Sequence, residues 1–190
     1  MNRRELLKNI SLLTGASVLG ADFFLSGCQK ADDGAAVVGL FNKNEIALLD
    51  EIADTIIPRT NTPGAKDAQV GLFMANFVSD CYEEKEQAII KAGMATLENA
   101  SQTQFKKGFL KITPQQRQAL LQKAAAAAKA ANEKQIDDAP TPYFTLFQQL
   151  ALMGYFTSEP GFTEVLRFEI VPGKYEGCID YKGETAWANW

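Results

Sequence analysis

From position 41 onward, apolar residues recur at the spacing of helices rather than strands. Ile46, Leu49, Ile52, Ala53 and Ile56 fall three or four apart and line one face. Asn42 and Glu45 sit at the start of that run as a capping box, with Phe41 and Ile46 placed to staple it. Pro58 ends it, because the residue before a proline is pushed towards extended backbone. Val70, Phe73, Met74, Phe77, Val78, Cys81 and Tyr82 predict a second helix, continuing with or without a break through Ile89, Ile90 and Leu97. Thr113-Pro114-Gln115-Gln116 begins another, with a cap, a proline at the first position and a glutamine at the third, running to about Glu133. Its Ala124–Ala128 stretch has high helix propensity and little bulk, which suits close packing or a surface position. Thr141-Pro142 repeats the start signal. Phe144, Phe147, Leu150, Ala151 and Gly154 mark the buried face of that helix, and Gln148 and Gln149 its opposite side.

Between these helices lie turn-rich stretches. Residues 58–67 form a loop in which Pro63-Gly64 fits the centre of a type II turn. Ser158-Glu159-Pro160-Gly161 is a turn, Phe162–Val171 a short apolar element, and Pro172-Gly173 a second turn. Lys174–Trp190, rich in Gly, Tyr and Trp, has no period and reads as an irregular arm. The expected fold is all-α: a helical domain at 41–190 with a long irregular C-terminal arm. Gly154 is expected either to admit a close neighbour or to mark a helix end.

The first forty residues obey a different logic. Arg3 and Arg4, followed by Leu6, Leu7 and Lys8, resemble a twin-arginine export signal, and the apolar run Ile10–Leu19 comes next. That run is too short to span about 30 Å of hydrocarbon, and Asp22 interrupts the distal part. Leu25-Ser26-Gly27-Cys28 fits a lipoprotein processing site, so 1–27 reads as a signal peptide and Cys28 as the lipidated N-terminus of the mature chain. Three acyl chains, at about 0.8 kcal/mol per buried methylene, make a stable anchor. Residues 28–40, polar and Gly/Ala-rich, read as a tether. The expected location is periplasmic and membrane-attached. The twin-arginine route carries folded cargo. A small chain without a cofactor gains from it when a folded partner travels along, a first pointer to a partner subunit.

Composition narrows the chemistry. The 190 residues contain no histidine, which removes the commonest general base and metal ligand. His-containing zinc sites, His-based triads and CxxCH haem attachment are excluded. The net charge is −4 with no basic patch beyond the first eight residues, which argues against nucleic acid as a partner. No GxGxxG after a strand, P-loop, GxSxG or calcium-binding DxDxDG loop is present. Asp137-Asp138 and Glu83-Glu84 read as solvated surface pairs. The expectation is a chain with no catalytic residue, metal or cofactor of its own.

Besides Cys28, the thiols are Cys81 and Cys178. In an oxidising compartment a Cys81–Cys178 disulfide is one reading, and would be worth roughly 2–5 kcal/mol. A bridge from either cysteine to another subunit is a second. A reduced, core-buried Cys81 is a third, since Cys81 lies on an apolar stripe. Tyr155, Phe156, Tyr175, Trp187 and Trp190 are the aromatic candidates for a partner interface, where Tyr and Trp are favoured anchors.

Three blocks carry a family resemblance. Asp54-Thr55-Ile56-Ile57-Pro58-Arg59-Thr60-Asn61-Thr62-Pro63-Gly64-Ala65-Lys66 is the first, and Gly154-Tyr155-Phe156-Thr157-Ser158-Glu159-Pro160-Gly161 the second. Val171-Pro172-Gly173-Lys174-Tyr175-Glu176-Gly177-Cys178, with Trp187 beyond it, is the third. In this order, after such a leader, they resemble the gluconate 2-dehydrogenase subunit 3 family. The resemblance implies a small subunit that helps a large subunit fold and be exported. That large subunit is of the glucose–methanol–choline type, binds FAD and oxidises sugars, sugar acids or glycosides. A c-type cytochrome, carrying haem c, usually takes the electrons. The competing reading is a stand-alone carbohydrate-binding lipoprotein, its tail aromatics stacked on sugars.

Overall fold

A computed structural model describes residues 36–134, 140–171, 173, 178 and 180–188. Arg3, Arg4, Cys28, Asp137, Asp138, Tyr175 and Trp190 therefore lie outside the described residues. The expected all-α architecture is what the chain adopts. Five α-helices carry the described part: α1 (Lys43–Ile56), α2 (Val70–Cys81), α3 (Glu84–Phe105), α4 (Pro114–Glu133) and α5 (Tyr143–Phe156). A short 3-10 turn spans Phe109–Lys111 and a π-type turn Gly161–Val165.

Both capping boxes form. Asn42 Oδ1 accepts from Glu45 N at 3.0 Å, and Glu45 Oε2 accepts from Asn42 N at 2.9 Å. Thr113 and Gln116 exchange the equivalent pair at the start of α4. Each box satisfies two amides that a helix start otherwise leaves without partners. α5 departs from expectation by one residue. Pro142 is its N-cap, not its first helical residue, and Thr141 makes no side-chain cap. The long apolar pattern after Val70 resolves into two helices, separated at Tyr82–Glu83.

α5 is the central helix and touches each of the other four. Its Phe147, Leu150 and Ala151 are fully buried, while Gln148 and Gln149 face solvent. Around it pack Leu49 and Ile52 of α1, Met74 and Val78 of α2, Ile90 and Leu97 of α3, and Leu120 and Leu121 of α4. In the alanine run, Ala124 and Ala128 are buried and Ala126 and Ala127 exposed, so the small side chains serve close packing on one side only. α1 and α2 approach so closely that a Cβ on Gly71 would lie 2.6 Å from Asp50 N.

A two-stranded antiparallel hairpin, β1 (Ala36–Val38) and β2 (Phe41–Asn42), precedes α1. It occupies residues 36–40 of the stretch expected to be tether. Gly39 turns it with a φ of 50° in the left-handed region, where glycine carries no Cβ penalty. Phe41 is fully buried, and Leu40 N donates to Ser79 Oγ at 3.1 Å. Lys91 stands over the Phe41 ring at 4.3 Å and donates to Leu40 O and Glu45 Oε1. Among the described residues, no helix is long and apolar enough to cross a membrane.

Candidate subunit interface

The loop from Ile57 to Gln69 leaves α1 and re-enters α2 under many constraints. Ala65 is fully buried, and its N–H donates to Ile57 O at 2.9 Å. Gly64 N donates to Asp67 Oδ2 at 2.7 Å, and Asp67 also pairs with Arg59. That guanidinium, followed by the Gly64 amide, holds the Asp67 carboxyl below its ordinary pKa, and the same contact raises Arg59. Gly64 is not in the left-handed region that a type II turn needs at its third position, so that expectation is corrected. The glycine is required for space instead: a Cβ there would lie 2.6 Å from Arg59 N. Lys66 and Arg117 both pair with Glu51. Arg117 further donates to Phe109 O at 3.2 Å and Leu110 O at 3.3 Å, which ties α1, the loop, the 3-10 turn and α4 into one network.

The end of α5 closes over this loop. Tyr155 is only 2% exposed, and its hydroxyl donates to Pro63 O. Its role as an interface candidate is therefore corrected: it is a core residue that fastens the first sequence block to the second. Its neighbour Phe156, edge-on at 5.2 Å, stays exposed. Gly154 sits inside the helix, where a Cβ would lie 2.5 Å from Phe73 Cδ1, so it serves close approach and not termination. Ser158 Oγ donates to Tyr155 O at 2.6 Å and accepts from Gly161 N at 3.2 Å. A Cβ on Gly161 would fall 1.9 Å from Tyr155 O, so glycine alone fits this turn.

Between the start of α2 and the end of α5 runs an open groove of about 640 Å³. Asp67, Gln69, Leu72, Asn76, Thr157 and Glu159 are among its walls. Its polar atoms are amides, hydroxyls and carboxylates, groups that exchange hydrogen bonds with a bound chain. Leu72 lines it in an exposed position, and Leu152, Met153 and Phe156 are exposed on α5. Helical periodicity did not single out Leu72, Leu152 or Met153. The available signal was an excess: α5 has more large apolar residues than one buried stripe can hold. Among the described residues, no three acidic or thiol side chains converge as a metal site would require.

Beyond the π-type turn the chain is held differently. Arg167 and Trp187 form a parallel bridge: Arg167 N donates to Ala186 O at 2.8 Å and Ala188 N to Arg167 O at 3.0 Å. The Arg167 guanidinium lies 3.5 Å from the centre of the Trp187 indole, which is 43% exposed. Phe162 and Phe168 contact each other at 5.0 Å. Cys81 and Cys178 are both exposed and carry no bond to each other. A core-buried Cys81 is thereby corrected, because α2 runs past the core before it ends at Cys81. Glu83 and Glu84 are exposed, as expected of surface charges.

Fold and groove define a small all-α protein in which two turn segments, nearly a hundred residues apart, are locked together where α5 ends. Residues 43–173 match the family model of gluconate 2-dehydrogenase subunit 3, and the chain belongs to that family. The match contains the first two sequence blocks entire and the opening of the third. Membership implies association with a dehydrogenase complex. No curated protein sequence and no solved structure matches the chain.

Proposed function

We propose that this chain is the small, non-catalytic subunit that binds, stabilises and helps export the FAD-containing catalytic subunit of a periplasmic sugar or glycoside dehydrogenase. The observation that carries the reading is the family match over 43–173, whose two complete sequence blocks converge through the Tyr155–Pro63 contact. The tight tethering of that region supports a preformed docking platform, which would bind without a large ordering cost. The leader with Arg3 and Arg4 would send the pair out folded. Cys28 would hold it at the membrane, and a c-type cytochrome would accept the electrons.

The test is co-expression with a glucose–methanol–choline-type flavoprotein from the same organism. Active flavoprotein is expected in the periplasmic membrane fraction with this chain and in the cytoplasm or insoluble fraction without it. Export of active flavoprotein in its absence would refute the role.

A further inference from the structure

We infer that the groove between the start of α2 and the end of α5 receives an extended, basic segment of the catalytic subunit, and that Gln69 and Glu159 are the residues that recognise it. The inference rests on the subunit reading above and adds the contact chemistry by which the partner is chosen.

Gln69 lies in the left-handed region, at φ 52° and ψ 38°, as the N-cap of α2. A residue with a Cβ is disfavoured there, and glycine or asparagine is the usual occupant. The glutamine does not cap the helix either. Its side chain makes no cap hydrogen bond and is exposed. The chain thus keeps a strained backbone under a side chain that does nothing for the fold. Strain that the fold does not use points to a binding role, and this side chain lines the groove. Leu72 and Asn76 continue the same wall at helical spacing. From Gln69 to Asn76 that wall is about 10 Å long at 1.5 Å per residue, the span of about three extended residues. The two primary amides each donate and accept, as a peptide unit does.

Charge selects the occupant. The ionisable residues lining the groove are Asp67 and Glu159, and no lysine or arginine lines it. Asp67 is already engaged by Arg59 and by Gly64 N. The Glu159 side chain is exposed and has no hydrogen bond or ion pair among the described residues. A lysine or arginine entering beside it gains a charge-assisted hydrogen bond. The same carboxylates disfavour a phosphate and an anionic bilayer, which attracts basic segments. Family membership places the chain in a dehydrogenase complex, so the segment is assigned to the catalytic subunit.

The test uses the full-length chain co-expressed with the same flavoprotein and isolated in detergent through a tag on the small subunit. Flavin retained on the immobilised small subunit through a dilution series gives the dissociation constant of the complex. Gln69→Gly is expected to act in opposite directions on fold and binding. It should raise the melting temperature of the full-length chain by about 2–4 °C and raise the dissociation constant about fivefold, the scale of one hydrogen bond. Glu159→Gln is expected to weaken the complex about fivefold and Glu159→Lys at least about tenfold, with both effects shrinking as salt is added. Leu110→Ser, exposed elsewhere, is expected to match wild type. Wild-type dissociation constants in Gln69→Gly and Glu159→Lys overturn the groove and leave the subunit reading standing. A lowered melting temperature in Gln69→Gly also overturns it, because the side chain would then serve the fold. So does binding of gluconate to the isolated chain that disappears in Gln69→Gly, or a self-associated chain that the same variant dissolves. Absence of flavin with the wild-type chain overturns the subunit reading itself, and this inference with it.

Discussion

Residues 57–69 and the described residues of 166–188 are both irregular, yet they are held in opposite ways. The first has a fully buried alanine at its centre, three ion pairs around it and a tyrosine hydroxyl closing it from α5. Among its described residues, the second is held by the Arg167–Trp187 bridge and cation–aromatic stack and by the Phe162–Phe168 contact, with Ile170, Val171 and Tyr181 exposed. Irregular backbone is thus no measure of order. What sets rigidity is whether a segment buries something and whether its polar groups find partners far along the chain. The first segment belongs to the core and shapes the groove. The second is a surface structure that a partner could cover without disturbing the fold.

The largest effect should come from cutting the tie between α5 and the first segment. Tyr155→Ala removes a buried ring and is expected to cost about 3–5 kcal/mol, the usual range for aromatic truncation in a core. Tyr155→Phe keeps the ring, loses the hydrogen bond to Pro63 O, and should cost about 1 kcal/mol. Denaturant unfolding monitored by circular dichroism separates the two. If Tyr155→Ala cost no more than Tyr155→Phe, the ring would not be part of the core and the contrast between the segments would fail.

Next is the network around Glu51. Glu51→Gln deprives both Lys66 and Arg117 of their carboxylate. Glu51 and Arg117 side chains are 16% and 14% exposed, so solvent screens the contact only weakly. A loss of roughly 1.5–3 kcal/mol is expected, as for hydrogen bonds to charged groups. Arg117 retains two carbonyl acceptors, which keeps the cost below that of a fully stranded charge. Arg117→Met should give a similar loss, and the double variant less than the sum, because the two residues share one interaction.

Acid titration reads the same region through two carboxylates of opposite sign. Burial raises the Asp50 pKa despite the hydrogen bond from Gly71 N, at 3.1 Å. A raised acid binds its proton more tightly folded than unfolded, so this group adds stability as pH falls from its raised value towards its ordinary one. Asp67 is lowered, so its contribution is present above the ordinary value and lost as pH falls through the lower one. Asp50→Asn should remove the gain and leave the protein at least as stable at neutral pH. Asp67→Asn should remove the loss at the acid end. Melting temperature against pH for the two variants checks the signs, and curves shifted the same way would contradict them.

Much of this was legible in the residues and part was not. The two capping boxes were readable because each lies within four consecutive positions and needs no distant partner. Tyr155 was readable too: it falls four residues after Ala151, on the stripe that also holds Phe147 and Leu150, and its hydroxyl disguised it as a surface residue. Cys81 misled in the other direction. It continues the spacing of Met74 and Val78, but α2 projects past the core at that point, and periodicity does not say where a core ends. Gly64 and Gly161 depend on clearances from Arg59 N and Tyr155 O that exist only after the chain has folded back on itself. The hairpin at 36–42 is too short to show a period. Its one local signal was the pair of β-branched residues Val37 and Val38 before Gly39.

The smallest global effect should fall on the second segment, and its smallness sharpens the contrast. Trp187→Ala removes the indole over Arg167, an interaction worth about 0.5–1 kcal/mol at an exposed site. In the intact protein, Arg167 Nε is buried without a hydrogen-bond partner. Without the ring, water reaches that donor and recovers part of the loss. The net change in unfolding free energy should therefore lie within about 0.5 kcal/mol, as for surface substitutions generally. The local effect should be much larger. Arg167 N–H and Ala188 N–H are the two amides of the bridge, and their hydrogen exchange should accelerate towards that of an open chain. Exchange at Ala65 N–H, bonded to Ile57 O in the pinned loop, should stay unchanged. Should Ala65 exchange faster as well, the two segments would be one cooperative unit, and the bridge would be part of the core.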